Sequence, residues 1–352
     1  MRKWLLPLCL TVILGLSACA PPAAPAVPEP PPAPEAPAEP VVPEPEPVPE
    51  PGSLLNGLPL EEPLKIRRPI AVMLDNHIGA RPQAGLAQAD VVVEALAEGE
   101  ITRYMALFQS RDPETIGSVR SARPYFVDLA LGYDAYYVHA GGSPQALSDI
   151  VKKRVADVDS LHEGKATFWR RNHKKAPHNL YTSPAAVRAA AGNRGYRSEW
   201  KGIDQQFGFE GNPTGGTAFR QVNLRFKEPR SSDKTGYTAA FTVSLEGGAL
   251  ARSVNGQTHV DEITGEAITA DNLLILKARH RVLDSAGRLE VDLIGSGEGY
   301  YCTGGQYWPI VWEKKEPSAQ LVFKLADGTP LVMKPGVLWI EVFPTNKDVV
   351  FE

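Results

Sequence analysis

Short apolar runs that end in turn residues dominate residues 63–216 of this 352-residue chain. Residues 69–74, 89–97 and 101–109 are runs of this kind, and their length and bounding polar residues predict buried strands. Residues 121–132 carry apolar side chains at helical spacing, which predicts a helix. The pattern therefore predicts a mixed α/β sandwich in this part of the chain.

Two Ser-Pro pairs mark the starts of further helices. In Ser143-Pro144 and Ser183-Pro184, a hydroxyl precedes a residue whose φ is already close to the helical value. We therefore expect both serines to be N-caps. For Ser143 the alternative is a nucleophile that His139, four residues earlier, would activate.

Strand patterns dominate residues 217–352. The predicted strands cover residues 239–246, 273–283, 289–294, 321–325, 331–334 and 337–343. Turn residues such as Ala326-Asp327-Gly328 separate them, which is typical of hairpins. We expect a mostly antiparallel β domain here, so that the whole fold belongs to the α+β class.

The first 19 residues have the order of a bacterial export signal. Arg2 and Lys3 precede an apolar stretch at 4–16, which is shorter than the roughly 20 residues that a spanning helix needs. Leu16-Ser17-Ala18-Cys19 resembles the lipobox of bacterial lipoproteins. The resemblance implies that residues 1–18 are a signal peptide and that Cys19 is acylated. The alternative is an ordinary secretory signal with a chance cysteine.

Residues 19–62 are predicted to be a linker. Within them, residues 21–51 contain only 15 Pro, 6 Glu, 6 Ala and 4 Val, which cannot form a core. Frequent proline favours polyproline II geometry, which at about 3.1 Å per residue gives a reach on the order of 100 Å. We therefore expect a spacer that holds the folded part away from the membrane, on its extracytoplasmic face.

The charge balance excludes one class of partner. The chain has 37 basic and 41 acidic residues, but removing the two basic and six acidic residues before Gly52 leaves 35 of each. A folded part with zero net charge does not favour nucleic acid. Cys302 is the one cysteine after Cys19, so no internal disulfide is expected, and its apolar surroundings predict a buried small side chain.

Several strings in the sequence resemble the YerB-like family of bacterial lipoproteins, which carry a two-part domain of unknown function. The strings lie at residues 68–76, 80–86, 101–103, 116–124, 139–144 and 176–181, and in the second half at 255–256, 259–261, 264–266 and 295–297. Glu100 stands where the family is expected to have glycine. The resemblance implies a lipid-anchored envelope protein and no established reaction.

An arginine-rich segment suggests an anion site. Arg103, Arg120 and Arg123 lie near predicted strand ends, and a guanidinium presents paired donors that suit phosphate or carboxylate. The alternative is internal pairing, such as Arg120 with Asp128 or Asp75.

A glycine turn joins a strand predicted at residues 135–139 to the helix predicted after Ser143. Gly141 and Gly142, between His139 and Ser143, would let the backbone approach an anion at a helix N-terminus. His178 and Asn179 could also donate hydrogen bonds to a ligand, or they could hold their own loop in place.

Two acidic residues complete the set of candidate residues. Asp75 ends the first predicted strand and could pair with Arg120 or Arg123, act as a base or bind a cation. Asp90, near the start of the second predicted strand, is the other candidate acidic partner. The cysteine and histidine spacings do not predict a structural metal site. We assign no catalytic residue and no cofactor.

The expected function is that of an envelope binding or scaffold protein with an anion-binding cleft. Its partner would be an envelope protein, a wall polymer or a phosphate-bearing ligand. The alternative is an enzyme, because the order of features loosely resembles the LytR-CpsA-Psr phosphotransferases. In that case Arg120 and Arg123 would neutralise a prenyl-linked diphosphate, and Asp75 or Asp90 would hold Mg²⁺.

Overall fold

The structure is a computed structural model that describes residues 52–208, 213–231, 234, 236–245 and 247–352. The predicted signal peptide, Cys19 and the linker up to residue 51 lie outside the described residues. The helices are α1 (Glu62–Lys65), α2 (Pro124–Gly132), α3 (Pro144–Lys152) and α4 (Pro184–Asn193). None of the helices in these ranges is long and apolar enough to cross a membrane.

Strands make up most of the regular structure. In chain order they are β1 (Ile70–Asp75), β2 (Val91–Leu96), β3 (Thr102–Phe108), β4 (Ile116–Gly117), β5 (Tyr136–His139), β6 (Asp157–Asp159), β7 (Trp169–Arg170), β8 (Leu180–Thr182), β9 (Thr217–Ala218), β10 (Gln221–Lys227), β11 (Tyr237–Val243), β12 (Leu250–Val254), β13 (Gln257–Thr258), β14 (Thr269–Ala270), β15 (Asn272–Ala278), β16 (His280–Val282), β17 (Leu289–Val291), β18 (Gly295–Thr303), β19 (Gln306–Lys314), β20 (Val322–Leu325), β21 (Leu338–Pro344) and β22 (Val349–Phe351). The α+β class is confirmed in the coarse sense that short helices accompany large sheets.

One mixed sheet runs through both halves of the described chain. Its strand order is β20-β19-β18-β15-β21-β2-β3-β1-β5-β6, with β9 added beside β19. The two predicted parts, residues 63–216 and 217–352, meet where β2 pairs in parallel with β21. A second sheet of order β13-β12-β11-β10-β22, in which every pairing is antiparallel, comes entirely from the second part.

The large sheet is covered on both faces, which explains why its central strands are apolar throughout. On one face Met73 and Met105 lie in a core with Phe126 of α2 and Ile150 of α3. On the other face a second core joins strand residues such as Val72 to α4 and to the second sheet. Cys302 is buried in this second core, as predicted, and burial raises the pKa of its thiol.

The folded body begins before the predicted boundary at residue 63. Ser53, Leu55 and Asn56 are buried, and Asn56 Nδ2 donates a hydrogen bond to Asp90 Oδ1 at 2.8 Å. The predicted linker therefore extends too far along the chain. The reason is that Leu55 enters the core and Asn56 supplies a partner to a buried carboxylate, so this segment belongs to the folded part.

The predicted helix starts are confirmed for α3 and α4 and wrong for α2. Ser143 Oγ and Ser183 Oγ accept hydrogen bonds from the backbone N–H groups of Ala146 and Ala186. The helix predicted from residue 121 begins only at Pro124. Residues 120–122 are extended instead, because the backbone N–H groups of Arg120 and Ala122 donate to the carbonyl oxygens of Met73 and Gly141.

Candidate functional site

One edge of the large sheet gathers the ends of several strands. Strands β1, β5 and β6 run parallel, so their carboxyl ends at Asp75, His139 and Asp159 share an edge. Strand β3 runs antiparallel to β1 and starts at the same edge, where Arg103 lies opposite Asp75. The extended segment 118–122 passes between the ends of β1 and β5 and brings Arg120 to this edge.

Asp75 is the centre of a polar cluster at this edge. The side chain is 3% exposed, and its Oδ2 lies 2.8 Å from Arg120 Nε and 2.6 Å from His178 Nδ1. Its Oδ1 accepts a hydrogen bond from the backbone N–H of His77 at 2.9 Å. The imidazole of His77 stacks on that of His178, with ring centroids 4.4 Å apart. The pairing of Arg120 is therefore with Asp75, whereas Asp128 pairs with a lysine.

The charges in this cluster favour an ionised Asp75. Burial opposes the charged form, but Arg120, the His77 backbone N–H and His178 together hold the pKa of Asp75 below its usual value. Burial and the nearby His178 lower the pKa of His77. Asp75 therefore remains an anchor for Arg120, whose two terminal nitrogens have no partner among the described residues.

Arg103 and Arg123 share one carboxylate, that of Glu98 just after β2. Arg123 binds both carboxylate oxygens through Nε and Nη2, while Arg103 Nη2 lies 3.5 Å from Glu98 Oε2. Burial, then Arg123, and also Arg120, lower the pKa of Arg103 to about 10. The three predicted arginines therefore lie close enough to repel one another. Glu98, their shared partner, was not anticipated because nothing local in the sequence links it to Arg123.

The glycine turn is committed to internal contacts. Gly141 has φ of +60°, which favours glycine, and its N–H donates to Asp159 Oδ1 at 2.8 Å. His139 is fully buried, with Nδ1 2.9 Å from the Gly141 carbonyl oxygen and Nε2 3.4 Å from Asp157 Oδ2. Ser143 caps α3, so neither it nor His139 is placed as a nucleophile with its base.

Two further candidates lie away from the arginines or serve their own loops. Asn179 Oδ1 accepts from Arg170 at 2.7 Å and its Nδ2 donates to the Arg171 carbonyl at 2.9 Å, so it holds its loop in place. Asp90 precedes β2, which runs parallel to β1 in the sheet, so it lies at the edge opposite Asp75. The structure therefore does not bring the two acidic candidates together.

The acidic candidates do not fit a Mg²⁺ ion. Both oxygens of Asp75 are occupied by His77, Arg120 and His178. Asp90 binds Asn56, Gln109 and Ser110 through both of its oxygens. Because Mg²⁺ needs uncommitted oxygen ligands close together, no step is assigned to this ion.

A cavity of about 240 Å³ opens beside this cluster, between the end of β1 and the β10–β11 hairpin. His77 contributes to its wall, and Arg81 and Tyr237 line it. Arg81 belongs to one of the family strings, but its role was not anticipated, because the β11 residue that faces it comes from the distant second half of the chain.

The whole architecture matches a known family. "Protein of unknown function (DUF3048) N-terminal domain" matches residues 55–197, and the corresponding C-terminal domain matches residues 230–340. "Putative lipoprotein YerB" of Bacillus subtilis (strain 168) is 35% identical over 294 residues, which cover 82% of this chain and 85% of the relative. The crystal structure of the YerB protein from Bacillus subtilis is similar with a TM-score of 0.77 and 33% identity, covering 85% of this chain and 99% of that one. The chain therefore belongs to the DUF3048 family of YerB-like lipoproteins.

Proposed function

We propose that this protein is a lipid-anchored binding protein of the cell envelope that holds a phosphate-bearing ligand at Arg120. The observation that carries the proposal is an uncompensated cation. Among the residues that the structure describes, Arg103, Arg120 and Arg123 pair with only two carboxylates, those of Asp75 and Glu98. An anion at this edge would relieve the repulsion that helps to lower the pKa of Arg103.

Arg120 is prepared for such a ligand. Its Nε is fixed by the buried Asp75, so less side-chain entropy is lost when the terminal nitrogens bind. Its side chain is 21% exposed, which leaves it accessible from solvent. Paired guanidinium nitrogens match two oxygens of a phosphate group.

The proposed location rests on the first 51 residues. Acylation at Cys19 would attach the chain to the outer leaflet, and the Pro- and Glu-rich segment would act as a spacer. The similarity to "Putative lipoprotein YerB" supports this arrangement. A phosphate-bearing wall polymer and an anionic lipid headgroup are the two envelope sources of the ligand chemistry.

Calorimetric titration of the full chain in detergent with pyrophosphate tests the proposal. Arg120→Gln should raise Kd by about tenfold or more, which corresponds to at least 1.4 kcal/mol. Arg281→Gln is the matched control, because Arg281 pairs with Glu290 on an exposed hairpin. Equal affinity in wild type and Arg120→Gln would refute the proposal. Retention on isolated cell walls, compared with flotation on vesicles containing phosphatidylglycerol, then separates the two sources.

A second candidate function is hydrolysis of a phosphate ester. His178 is oriented by Asp75 through Nδ1, and its Nε2 has no partner among the described residues. An imidazole held in this way is positioned to remove a proton from water as it attacks phosphorus, with Arg120 binding the phosphate oxygens. The proton would then pass to the departing alcohol oxygen.

Release of phosphate from p-nitrophenyl phosphate by the full chain tests this candidate. Activity lost in His178→Asn, with pyrophosphate affinity retained, would support an enzyme. No turnover by the wild-type chain would leave binding alone as the proposed function.

A further inference from the structure

The cavity beside the Asp75 cluster has a fixed cationic wall. Arg81 Nε donates to Asn76 Oδ1 at 2.9 Å, and its Nη2 donates to the Asn76 carbonyl at 3.0 Å. The guanidinium also lies over the ring of Tyr237, 5.1 Å from the centroid. These contacts fix the planar group and leave Nη1 without a partner among the described residues.

A buried hydrogen-bond network stiffens the back of the cavity. Asn76 Nδ2 donates to Thr102 Oγ1 and Tyr237 Oη, each at 2.6 Å. Thr102 and Tyr237 in turn donate to Glu94, which also binds Arg252. Because each of these side chains is buried and makes at least one hydrogen bond within the network, the wall is formed before any ligand arrives.

Two isoleucines line the cavity beside its polar residues. They are Ile78, which is 75% exposed, and Ile101. Glu100, which also lines the cavity, has φ of +57°, a conformation that a non-glycine residue adopts at a cost. Backbone strain of this kind is concentrated at ligand sites. An exposed isoleucine beside a fixed guanidinium suits a ligand with both an apolar and an anionic part.

We propose that this cavity is a second ligand site, which takes a small oxyanion carrying an apolar group. Its volume equals that of about eight waters at roughly 30 Å³ each, so it fits one ring or one amino-acid-sized group. The oxyanion binds Arg81 and the apolar group lies against Ile78. This site is distinct from Arg120, which does not line the cavity.

Calorimetric titration of the full chain with three probes tests the site. The probes are phenyl phosphate, benzoate and inorganic phosphate. Phenyl phosphate should bind about tenfold more tightly than inorganic phosphate, since burying a phenyl ring contributes more than 1.4 kcal/mol. The affinity of benzoate relative to phenyl phosphate identifies which oxyanion the site prefers.

Two variants define the site. Ile78→Ser, at an exposed position that does not threaten folding, should bring the affinity for phenyl phosphate close to that for inorganic phosphate. Arg81→Gln should reduce phenyl phosphate binding by about tenfold or more. Unchanged phenyl phosphate affinity in Ile78→Ser would overturn the proposal, and so would equal affinities for the three probes.

Arg120→Gln separates the two proposals. This variant should bind phenyl phosphate with wild-type affinity and bind pyrophosphate more weakly. If phenyl phosphate binding is lost in Arg120→Gln and retained in Arg81→Gln, the cavity proposal fails and the proposed function stands. If pyrophosphate affinity does not change in Arg120→Gln while Arg81→Gln loses phenyl phosphate, the proposed function fails and the cavity proposal stands.

Discussion

Arg252 is a buried cation whose two acidic neighbours play different roles. Its Nη2 lies 2.5 Å from Glu94 Oε2, and both side chains are fully buried. Burial, and then the nearby Glu94, raise the pKa of Glu341 well above its ordinary value, which favours the neutral acid. Glu94 is therefore the direct ion-pair partner of Arg252, whereas the surroundings of Glu341 favour its neutral form.

Substituting the two glutamates separately should give unequal losses of stability. Glu94→Gln leaves Arg252 buried without its counter-charge and should cost about 3–5 kcal/mol. Glu341→Gln keeps the shape and the bond that its Oε1 accepts from Trp339, so it should cost less than about 1 kcal/mol. Urea unfolding of both variants measures the difference, and equal losses would contradict this assignment of charge.

Replacing Glu100 with glycine should make the folded chain more stable. Its left-handed φ costs a non-glycine residue on the order of 1 kcal/mol, and its ion pair with Arg230 involves two partly exposed side chains. Glu100→Gly should therefore raise the free energy of unfolding by about 1 kcal/mol. Glu100→Ala is the matched control, because it removes the ion pair and keeps the strain. A glycine variant no more stable than the alanine variant would show that the backbone is relaxed there.

Buried histidine should make the fold sensitive to mild acid. Burial, then Arg252 and Arg81, lower the pKa of His259 well below 6.5. Below about pH 7 the unfolded chain then binds a proton that the folded chain does not, so stability falls as pH falls through 6.5 toward the folded pKa. His259→Gln should flatten this slope in urea titrations between about pH 7 and 5. His162→Gln, at a side chain 70% exposed, should keep it.

At the level of elements, local signals in the sequence were sufficient where one residue fixes a helix end. The pairs Ser143-Pro144 and Ser183-Pro184 correctly predicted the starts of α3 and α4, and the apolar runs correctly predicted β1, β2 and β3. The start of α2 was wrong because the extended form of residues 120–122 depends on pairing with β1 and the distant Gly141. A strand predicted at 331–334 was also wrong, since within this segment only Met333 forms a bridge, an isolated one with Phe207.

The candidate site shows the same limit. The sequence gathered Asp75, Arg120 and His178 by residue type, and the fold does bring these three into contact. The sequence could not show that Glu98 forms an ion pair with Arg123, because that carboxylate lies 25 positions away along the chain. A count of basic residues in the sequence therefore overestimates the positive charge that is available to a ligand, because the fold pairs some of these residues with its own carboxylates.

The two serine caps provide a test at this scale. Ser143→Ala removes the acceptor of the Ala146 N–H and should lower stability by about 1 kcal/mol. Ser183→Ala should cost a similar amount at α4. Because the Ser143 hydroxyl caps α3, Ser143→Ala should leave pyrophosphate affinity unchanged. Ser143→Asn, which keeps a capping acceptor, should be close to wild type in stability. If Ser143→Ala remains stable but binds pyrophosphate much more weakly, the Ser143 hydroxyl contributes to the ligand site.

For the molecule as a whole, the decisive contact is the parallel pairing of β2 with β21. Val91 to Ala95 lie opposite Leu338 to Val342, and every residue of both strands is buried. Strand β21 also pairs with β15 over seven residues, so it is central to the sheet although it comes late in the chain. We therefore expect the first part to need, for its folding, a strand that lies more than 240 residues after β2 begins.

Separate halves should consequently not fold by themselves. A fragment of residues 1–216 would expose the apolar edge of β2 along its whole length, and residues 217–352 would expose the matching edge of β21. Each fragment should lack near-ultraviolet circular dichroism and a cooperative thermal transition, while mixing both during refolding should restore them. The intact chain should unfold in one transition, because the pairing couples the two parts. A fragment 1–216 that melts cooperatively alone would instead show that the first part is an autonomous domain and that β21 only docks onto it.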